Sequence, residues 1–192
     1  VPPRGLVPVV DIFGAAGAGE RDLAWGTLQG TTPGAPVWAY ASVIDNRTGD
    51  PTIVPMEPAT SGSAPARSVP SFERTVAAVA HAPGVHESLW RTDVALVNAS
   101  EAEVGVDVRF VPAGGGEPVT KTERLAPGTR AWSDILVSLF GLDAGSSISG
   151  ALHFRSDGPL VVSSRTFNVT EQGSFGAHLA GIDRSLALAP ER

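Results

Sequence analysis

The chain of 192 residues contains no cysteine, and its 14 lysine and arginine residues are outnumbered by 20 aspartate and glutamate residues. Because cysteine is absent, the fold can have neither a disulfide framework nor a thiolate metal site. The net charge of −6, with no cluster of basic residues, indicates that the chain does not bind nucleic acid. No apolar run approaches the roughly 18 residues that a membrane-spanning helix needs, so we expect no membrane insertion.

The chain also lacks an initiating methionine and a recognisable signal peptide, since it begins at Val1 and its single methionine is Met56. We therefore expect it to be processed or to be a piece of a longer protein. At 192 residues it is long enough to bury a core, as one large β domain or as two small ones.

Glycine and proline are plentiful, with 22 and 16 residues spread between short apolar runs. This spacing leaves little room for helices and favours many short strands joined by tight turns. One stretch has a helical period instead, with Ser133 as a candidate cap and Gly141 as a candidate end. Its apolar side consists of Ile135, Leu136, Leu139 and Phe140. The sequence thus predicts an all-β fold with one short helix.

The clearest strand signal lies in residues 89–111. From residue 104 apolar and polar side chains alternate, which is typical of a half-buried strand. The same alternation places Trp90, Val94 and Leu96 on one side of the preceding run and predicts that Trp90 lies in the core. Turn-forming residues follow at Asn98-Ala-Ser-Glu, so the two runs are predicted to form a β-hairpin.

The first part of the chain shows weaker strand patterns. Apolar or β-rich runs predict strands within residues 1–13, 23–28, 36–44 and 52–56. Residues 57–74 are rich in proline, serine and alanine and are predicted to be a linker.

An internal repeat organises these elements. Asp11-Ile12 matches Asp134-Ile135, Gly26-Thr-Leu matches Gly150-Ala-Leu, and further matches follow in the same order. Residues 1–56 are therefore interpreted as the C-terminal half of a β-sandwich repeat, residues 75–183 as a complete copy, and residues 184–192 as a tail. Half a sandwich exposes an apolar face and unpaired strand edges. Upstream strands of a longer parent, another chain, or fusion of both blocks into one sandwich could complete it.

The second block resembles a known but poorly characterised repeat. It contains Trp90-Arg-Thr-Asp-Val, the helical Leu139-Phe-Gly and Ser164-Arg-Thr-Phe-Asn, in that order. With these motifs, residues 75–183 resemble a repeat found in tandem in secreted and surface proteins of bacteria such as myxobacteria and acidobacteria. Residues 4–56 resemble a degenerate half of it, with Ala41-Ser-Val-Ile where the Ser-Arg-Thr motif is expected. The resemblance implies an immunoglobulin-like sandwich with an extracellular or cell-surface location, and no catalytic residues.

Two sets of residues are candidates for interaction. Arg91 and Arg165 could clamp a carboxylate or a sugar, or Arg91, Asp93 and Arg165 could instead make cross-strand ion pairs that serve the fold. Exposed aromatic side chains could bind polysaccharide. The aromatic candidates are Trp38, Tyr40, Trp132 and Phe175.

Metal and catalytic signals are sparse. His81 and His86 flank a Pro-Gly turn and do not point the same way on a strand or a helix, and residues 45–50 only resemble a calcium loop in their oxygen content. His153 and His178 are expected at the surface. No serine lies in the Gly-x-Ser-x-Gly frame of a nucleophile elbow. We therefore expect a chain that is not an enzyme and has no cofactor, apart from the calcium alternative near residues 45–50.

These patterns lead to two hypotheses of function. The first is an extracellular structural module that serves spacing, adhesion or assembly into a surface structure or filament through strand edges. Its partners would be other copies of itself or neighbouring repeats of a longer chain. The alternative is a sandwich module that binds polysaccharide or another ligand.

Overall fold

The computed structural model describes residues 5–19, 24–28, 31–32, 37–57 and 72–186. The chain divides into two compact units, Val1–Pro36 and Val37–Arg192. Residues 37–57 thus group with the block at 75–183, whereas the predicted division lay after residue 56. The predicted linker at 57–74 and tail at 184–192 lie mostly outside the described residues.

The described part of the first unit contains one short helix, α1, at Ile12–Ala15. Asp11 precedes it in the left-handed conformation, with φ of 53°, and its carboxylate accepts a hydrogen bond from the backbone N–H of Gly14. The strands predicted at 1–13 and 23–28 are wrong for the residues that are described, which form none. Pro8 offers no N–H to a strand partner, and Asp11 turns the chain into the helix, so the apolar run does not continue as a strand.

The second unit, where it is described, is an antiparallel β-sandwich with one short α-helix. Its strands are β1 Tyr40–Ile44, β2 Pro51–Pro55, β3 Phe72–Pro83, β4 Leu89–Asn98, β5 Val104–Pro112, β6 Val119–Leu125, β7 Gly128–Trp132, β8 Ile148–Ser156, β9 Val161–Thr170, β10 Gly173–Ala180 and β11 Ile182–Asp183. Its helix, α2, spans Ile135–Ser138, and a 3₁₀ turn spans Arg184–Leu186. Within the described ranges no helix is long and apolar enough to cross a membrane.

Two sheets share the long strand β3. One has the order β6-β5-β8-β3-β11, and the other has β10-β9-β4 with β7 on the far edge of β4. β3 pairs with β8 as far as His81, with a register shift between Val76 and Val79, and it pairs with β4 at Ala82 and Pro83. These antiparallel sheets confirm the predicted all-β sandwich.

The predicted hairpin of residues 89–111 is wrong. β4 pairs with β9, β7 and the end of β3, whereas β5 pairs with β6 and β8 in the other sheet. The connection between β4 and β5 therefore crosses the sandwich. Asn98 fixes this crossing because its side-chain amide, which is buried, donates to the carbonyl oxygens of Ala102 and Leu125.

The core lies between the sheets and follows the predicted alternation of β5. Its buried apolar residues are Val76, Val79, Val94, Leu96, Val104, Val106, Val108, Phe110, Leu125, Trp132, Ile135, Leu136, Phe140, Leu152, Phe154, Leu160 and Val162. Trp90 is not among them, so its predicted core position is wrong. It is 38% exposed and lies beside the Gly84 turn, because β4 extends beyond the core at that end.

Helix α2 confirms the predicted short helix but not its cap. Asp134 rather than Ser133 precedes the helix, with φ of 45°, and the chain leaves the helical region through Gly141, with φ of 70°. The backbone N–H of Asp134 donates to the carboxylate of Asp93, which fixes the start of the helix to β4. Asp11 precedes α1 in the same left-handed conformation, at the position that the repeat alignment equates with Asp134.

Candidate interaction site

The β1–β2 hairpin, residues 40–55, is a two-stranded antiparallel ribbon, called here the ribbon. Its strands read YASVI and PTIVP, so neither carries a charged side chain. Directly opposed residues share a face of an antiparallel pair. Tyr40, Ile44 and Ile53 consequently lie on one face, called the ribbon face.

The ribbon face is apolar and open to solvent. Tyr40, Ile44 and Ile53 are each about half exposed, at 48%, 56% and 50%. Trp38 is 69% exposed, and its ring centroid lies 5.2 Å from that of Tyr40 with an interplanar angle of 40°. The structure therefore brings together two of the predicted aromatic residues at the surface.

The free edge of β1 is set by the hydrogen bonds at the two ends of the ribbon. The N–H of Asp45 donates to the carbonyl of Asp50 at 3.0 Å, and the N–H of Met56 donates to the carbonyl of Ala39 at 2.9 Å. Hydrogen-bonded and non-hydrogen-bonded pairs alternate along an antiparallel pair. The backbone groups of residues 40, 42 and 44 therefore point away from β2, and no described strand pairs with that edge.

The loop of the ribbon is fastened to the β9–β10 hairpin by polar contacts. The carboxylate of Asp45 accepts from the hydroxyl of Ser174 at 2.7 Å and from its N–H at 3.3 Å. The Thr48 hydroxyl donates to the Ser174 carbonyl at 3.1 Å, and the Arg47 guanidinium donates to the Glu171 carbonyl at 2.7 Å. These contacts hold the ribbon against the sandwich without extending its sheet.

The predicted calcium alternative falls on this same loop. One oxygen of the Asp45 carboxylate accepts from the N–H groups of Arg47 and Thr48, and the other accepts from Ser174. The hydroxyl of Ser174 and these backbone N–H groups hold the pKa of Asp45 well below its usual range. Both oxygens of this carboxylate thus accept hydrogen bonds within the fold.

Arg91, Asp93 and Arg165 lie on one face of the β4–β9 pair, where Asp93 and Arg165 are opposite each other. The guanidinium of Arg165 approaches Asp50 of the ribbon loop, at 3.7 Å, while Asp93 accepts from the start of α2. Asp50 also accepts from the N–H of Gly176 at 2.9 Å. The arginine on β9 therefore contributes to fastening the ribbon.

Phe167 lies beneath both arginines. The Cζ atoms of Arg91 and Arg165 lie 4.9 and 4.6 Å from the centroid of its ring, which is buried. The Nε atoms of both arginines are also buried, without a hydrogen-bond partner among the described residues. The two side chains are thus packed as cations on an aromatic face. A clamp for a carboxylate or sugar would have to use their outer nitrogens.

The remaining aromatic candidates are divided between core and surface. Trp132 is only 7% exposed and belongs to the core, so it is not available for binding. Phe175 is partly exposed on β10, and Trp90 is partly exposed on β4. Asn168 lies between them in the register of the sheet, opposite both. The sequence did not indicate that Trp90 lies at the surface. Alternation of apolar and polar residues shows which face of a strand a side chain is on, but not how far along the strand the core extends.

His81 is buried and lies in a polar network that the sequence did not indicate. Its Nδ1 lies 2.6 Å from the Asp134 carboxylate, and its Nε2 lies 2.8 Å from the Ala144 carbonyl oxygen. An ionised carboxylate and a carbonyl oxygen both accept, so the arrangement favours a protonated imidazole that donates from both ring nitrogens. Burial lowers the pKa of His81, but the two hydrogen bonds and the charges of Asp134 and Asp143 outweigh it and raise the pKa.

The other histidines take separate positions. His86 is exposed in the turn after β3. His153 is exposed on β8, as predicted. His178, also predicted at the surface, is half-buried on β10. Among the described residues no three histidine or carboxylate side chains are grouped so that they could hold a metal ion.

The carboxylates of a shallow depression over β5, β6 and β8 are likewise engaged in the fold. Asp157 accepts from the N–H of Gly105 at 2.8 Å, and Asp107 accepts from the hydroxyl of Thr122 at 2.7 Å. Paired catalytic carboxylates need one group that can hold a proton near neutral pH, usually through burial. These two are exposed and hydrogen-bonded as acceptors, an arrangement that suits a structural role.

Comparison with known proteins gives little further information. No family model matches the chain, and no curated protein matches it. Among solved structures, the chain is similar to the crystal structure of Thermotoga maritima 1070, at 12% sequence identity and a TM-score of 0.45. The match covers 58% of this chain and 92% of that chain. A likeness at this level supports no conclusion about function.

Proposed function

We propose that the chain is a non-catalytic, extracellular structural module that assembles with partners through the free edge of β1. The observation that carries the proposal is this strand, whose residues are all exposed, uncharged and apolar except for one serine. The extracellular location rests on the resemblance to repeats of secreted and surface proteins.

Other described edges have the features by which soluble proteins avoid edge-to-edge pairing, namely charge, shortness or cover. β6 carries Lys121, Glu123 and Arg124, and β7 carries Arg130. β2 begins and ends with proline, β11 has two residues, and the ribbon loop is fastened to β10. β1 has neither a charge nor a proline, and it is straight enough to pair with β2 along its whole length. An unprotected edge in a protein that protects its others is a site for adding a strand.

The experiment is sedimentation of the whole chain over a wide range of concentration. The wild-type chain is expected to associate as its concentration rises, and Ser42→Lys, which places a charge in the middle of the free edge, is expected to keep it monomeric. Ser147→Lys makes the same change at an exposed loop position outside the strands. It should associate like the wild type. Association that is unchanged by Ser42→Lys would overturn the proposed role of β1.

A second candidate function is polysaccharide binding, which the Trp38–Tyr40 pair favours. Each of these two neighbouring exposed rings provides an apolar face on which a sugar ring can stack. Calorimetric titration with soluble polysaccharides tests it. Trp38→Ala should abolish any heat of binding, while Trp25→Ala, at another exposed tryptophan, should retain it. Binding that survives Trp38→Ala would exclude this surface.

A further inference from the structure

We infer that the partner of β1 is β1 of a second copy, paired antiparallel about a two-fold axis through Ser42. This inference rests on the proposed function and adds the identity of the partner, the symmetry and the register. The outward backbone groups belong to residues 40, 42 and 44, which are spaced symmetrically about residue 42. An antiparallel copy of β1 presents outward groups at the same spacing and can satisfy all of them.

The two-fold register pairs Ser42 with Ser42 of the second copy, and Tyr40 with Ile44 of the second copy. Each such hydrogen-bonded pair exchanges two N–H···O bonds, so the three pairs would form about six bonds. The same register opposes Ala41 and Val43 on the other face. A register displaced along the strand would leave outward groups at both ends without partners.

The side chains are complementary in the same register. Tyr40 and Ile44 lie on the ribbon face, so the pairing sets an aromatic ring beside a β-branched side chain twice, which is a favourable cross-strand combination. A copy of β1 also brings no charge to an uncharged edge. The net charge of −6 on each chain opposes association in general, but β1 and β2 carry none of it.

The symmetry limits the size of the assembly. A two-fold contact uses the same edge of both copies, so pairing through β1 closes at a dimer and does not continue into a filament. A filament would require a second, different contact. Five paired residues make a small interface, and such interfaces are weak and transient, so the dimer should form only at high concentration.

Disulfide trapping tests the register, because the chain has no native cysteine and any disulfide must come from an introduced thiol. Ser42→Cys places two thiols in a directly opposed pair, within the distance that a disulfide spans. Under mild oxidation it should form covalent dimer about tenfold faster or more than Ala41→Cys or Ser147→Cys. Ala41→Cys is the register control, since residue 41 opposes residue 43 of the second copy.

The outcomes separate this inference from the proposed function. Rapid cross-linking of Ser42→Cys, with a matching gain in the dimer on sedimentation, supports the inference. If the wild type associates through β1 but Ile44→Cys or Tyr40→Cys cross-links faster than Ser42→Cys, the register is wrong and the proposed function stands. If Ser42→Cys cross-links no faster than Ser147→Cys and the wild type stays monomeric, both are overturned. Circular dichroism of each variant verifies that it is folded.

Discussion

Asp45 and Ser174 are joined by two hydrogen bonds across 129 residues of sequence, one to the hydroxyl and one to the backbone N–H of the serine. This contact holds the loop of the ribbon on the sandwich while the strands of the ribbon stay outside its sheets. Were the ribbon fastened by strand pairing, β2 or β1 would have a sandwich strand as its neighbour. Because it is fastened by side chains, no described strand pairs with the outer edge of β1.

Asp45→Ala should release the ribbon loop without unfolding the sandwich. The substitution removes the acceptor for Ser174 and for the N–H groups of Arg47 and Thr48. Limited proteolysis is expected to cut residues 45–50 faster in this variant, with the thermal midpoint of the sandwich little changed. Glu117→Ala, at an exposed acidic residue in another loop, is the control and should leave the cleavage rate unchanged. Equal cleavage of both variants would contradict the fastening role.

The same contact should depend on pH in a defined direction. The folded pKa of Asp45 is depressed. Its hydrogen bonds therefore stabilise the ribbon loop at pH values above the unfolded pKa of about 3.9, and this stabilisation is lost as the pH falls through the folded pKa. Proteolysis with an acid-active protease is therefore expected to find the loop still protected at about pH 4, where an unperturbed aspartate is half protonated. If the loop already lost its protection from proteolysis at about pH 5, the depressed pKa of Asp45 would be contradicted.

His81→Leu should destabilise the sandwich strongly. It removes the donor to Asp134 and to the Ala144 carbonyl and leaves a largely buried carboxylate without its partner, which typically costs about 3 kcal/mol or more. Urea unfolding at pH 6 measures the loss. His86→Leu, at an exposed turn, is the control and should change the free energy of unfolding little.

The effect of His81→Leu should shrink at alkaline pH. The folded pKa of His81 lies above the unfolded pKa of 6.5. The protonated imidazole therefore stabilises the wild-type fold fully below about pH 6.5, and this stabilisation is lost as the pH rises through the folded pKa. The difference between wild type and variant is thus expected to be larger at pH 6 than at pH 9. A difference that grows with pH would mean that the imidazole is neutral in the fold.

Trp132 and Trp90 should differ in their contribution to stability, although sequence alternation predicted a core position for Trp90. Trp132→Ala removes a buried ring and is expected to cost about 3 kcal/mol or more. Trp90→Ala should cost clearly less, because over a third of that residue is already in solvent. Chemical denaturation of both variants measures the loss in free energy of unfolding. Equal losses would indicate that Trp90 is packed as a core residue.

Gly150 and Gly26, which the repeat alignment equates, should respond differently to alanine. A Cβ on Gly150 would overlap the carbonyl oxygen of Val111 and lie 2.7 Å from the ring of Phe110. Such overpacking costs about 1–3 kcal/mol. A Cβ on Gly26 would have no heavy atom within 4 Å, so its variant should unfold like the wild type. Thermal unfolding distinguishes the two, and a similar loss in both would argue for equivalent packing.

The sequence could predict what depends on local periodicity. The alternation from Val104 to Phe110 follows directly from a strand with one buried face, and the apolar period before Gly141 follows from a short helix. It could not predict pairing partners, because the turn residues at Asn98 serve a crossing between sheets as well as they would serve a hairpin. The hairpin of residues 89–111 was wrongly predicted for this reason.

The candidate site was only partly predictable for the same reason. Trp38 and Tyr40 could be named as aromatic candidates, but their exposure depends on how the ribbon lies on β10. The link from Asp45 to Ser174 and the pair of His81 with Asp134 join residues far apart in the sequence, and no spacing rule marks them. The free edge of β1 became visible only once the partners of every described strand were known.

Amide hydrogen exchange along β1, followed by NMR at low and high protein concentration, tests the central proposal most directly. The amides of residues 40, 42 and 44 point outward and should exchange freely in dilute solution, then become protected as the dimer forms. The amides of Ala41 and Val43 donate within the ribbon and should be protected at both concentrations. Outward amides that exchange equally fast at low and high concentration would contradict pairing through β1.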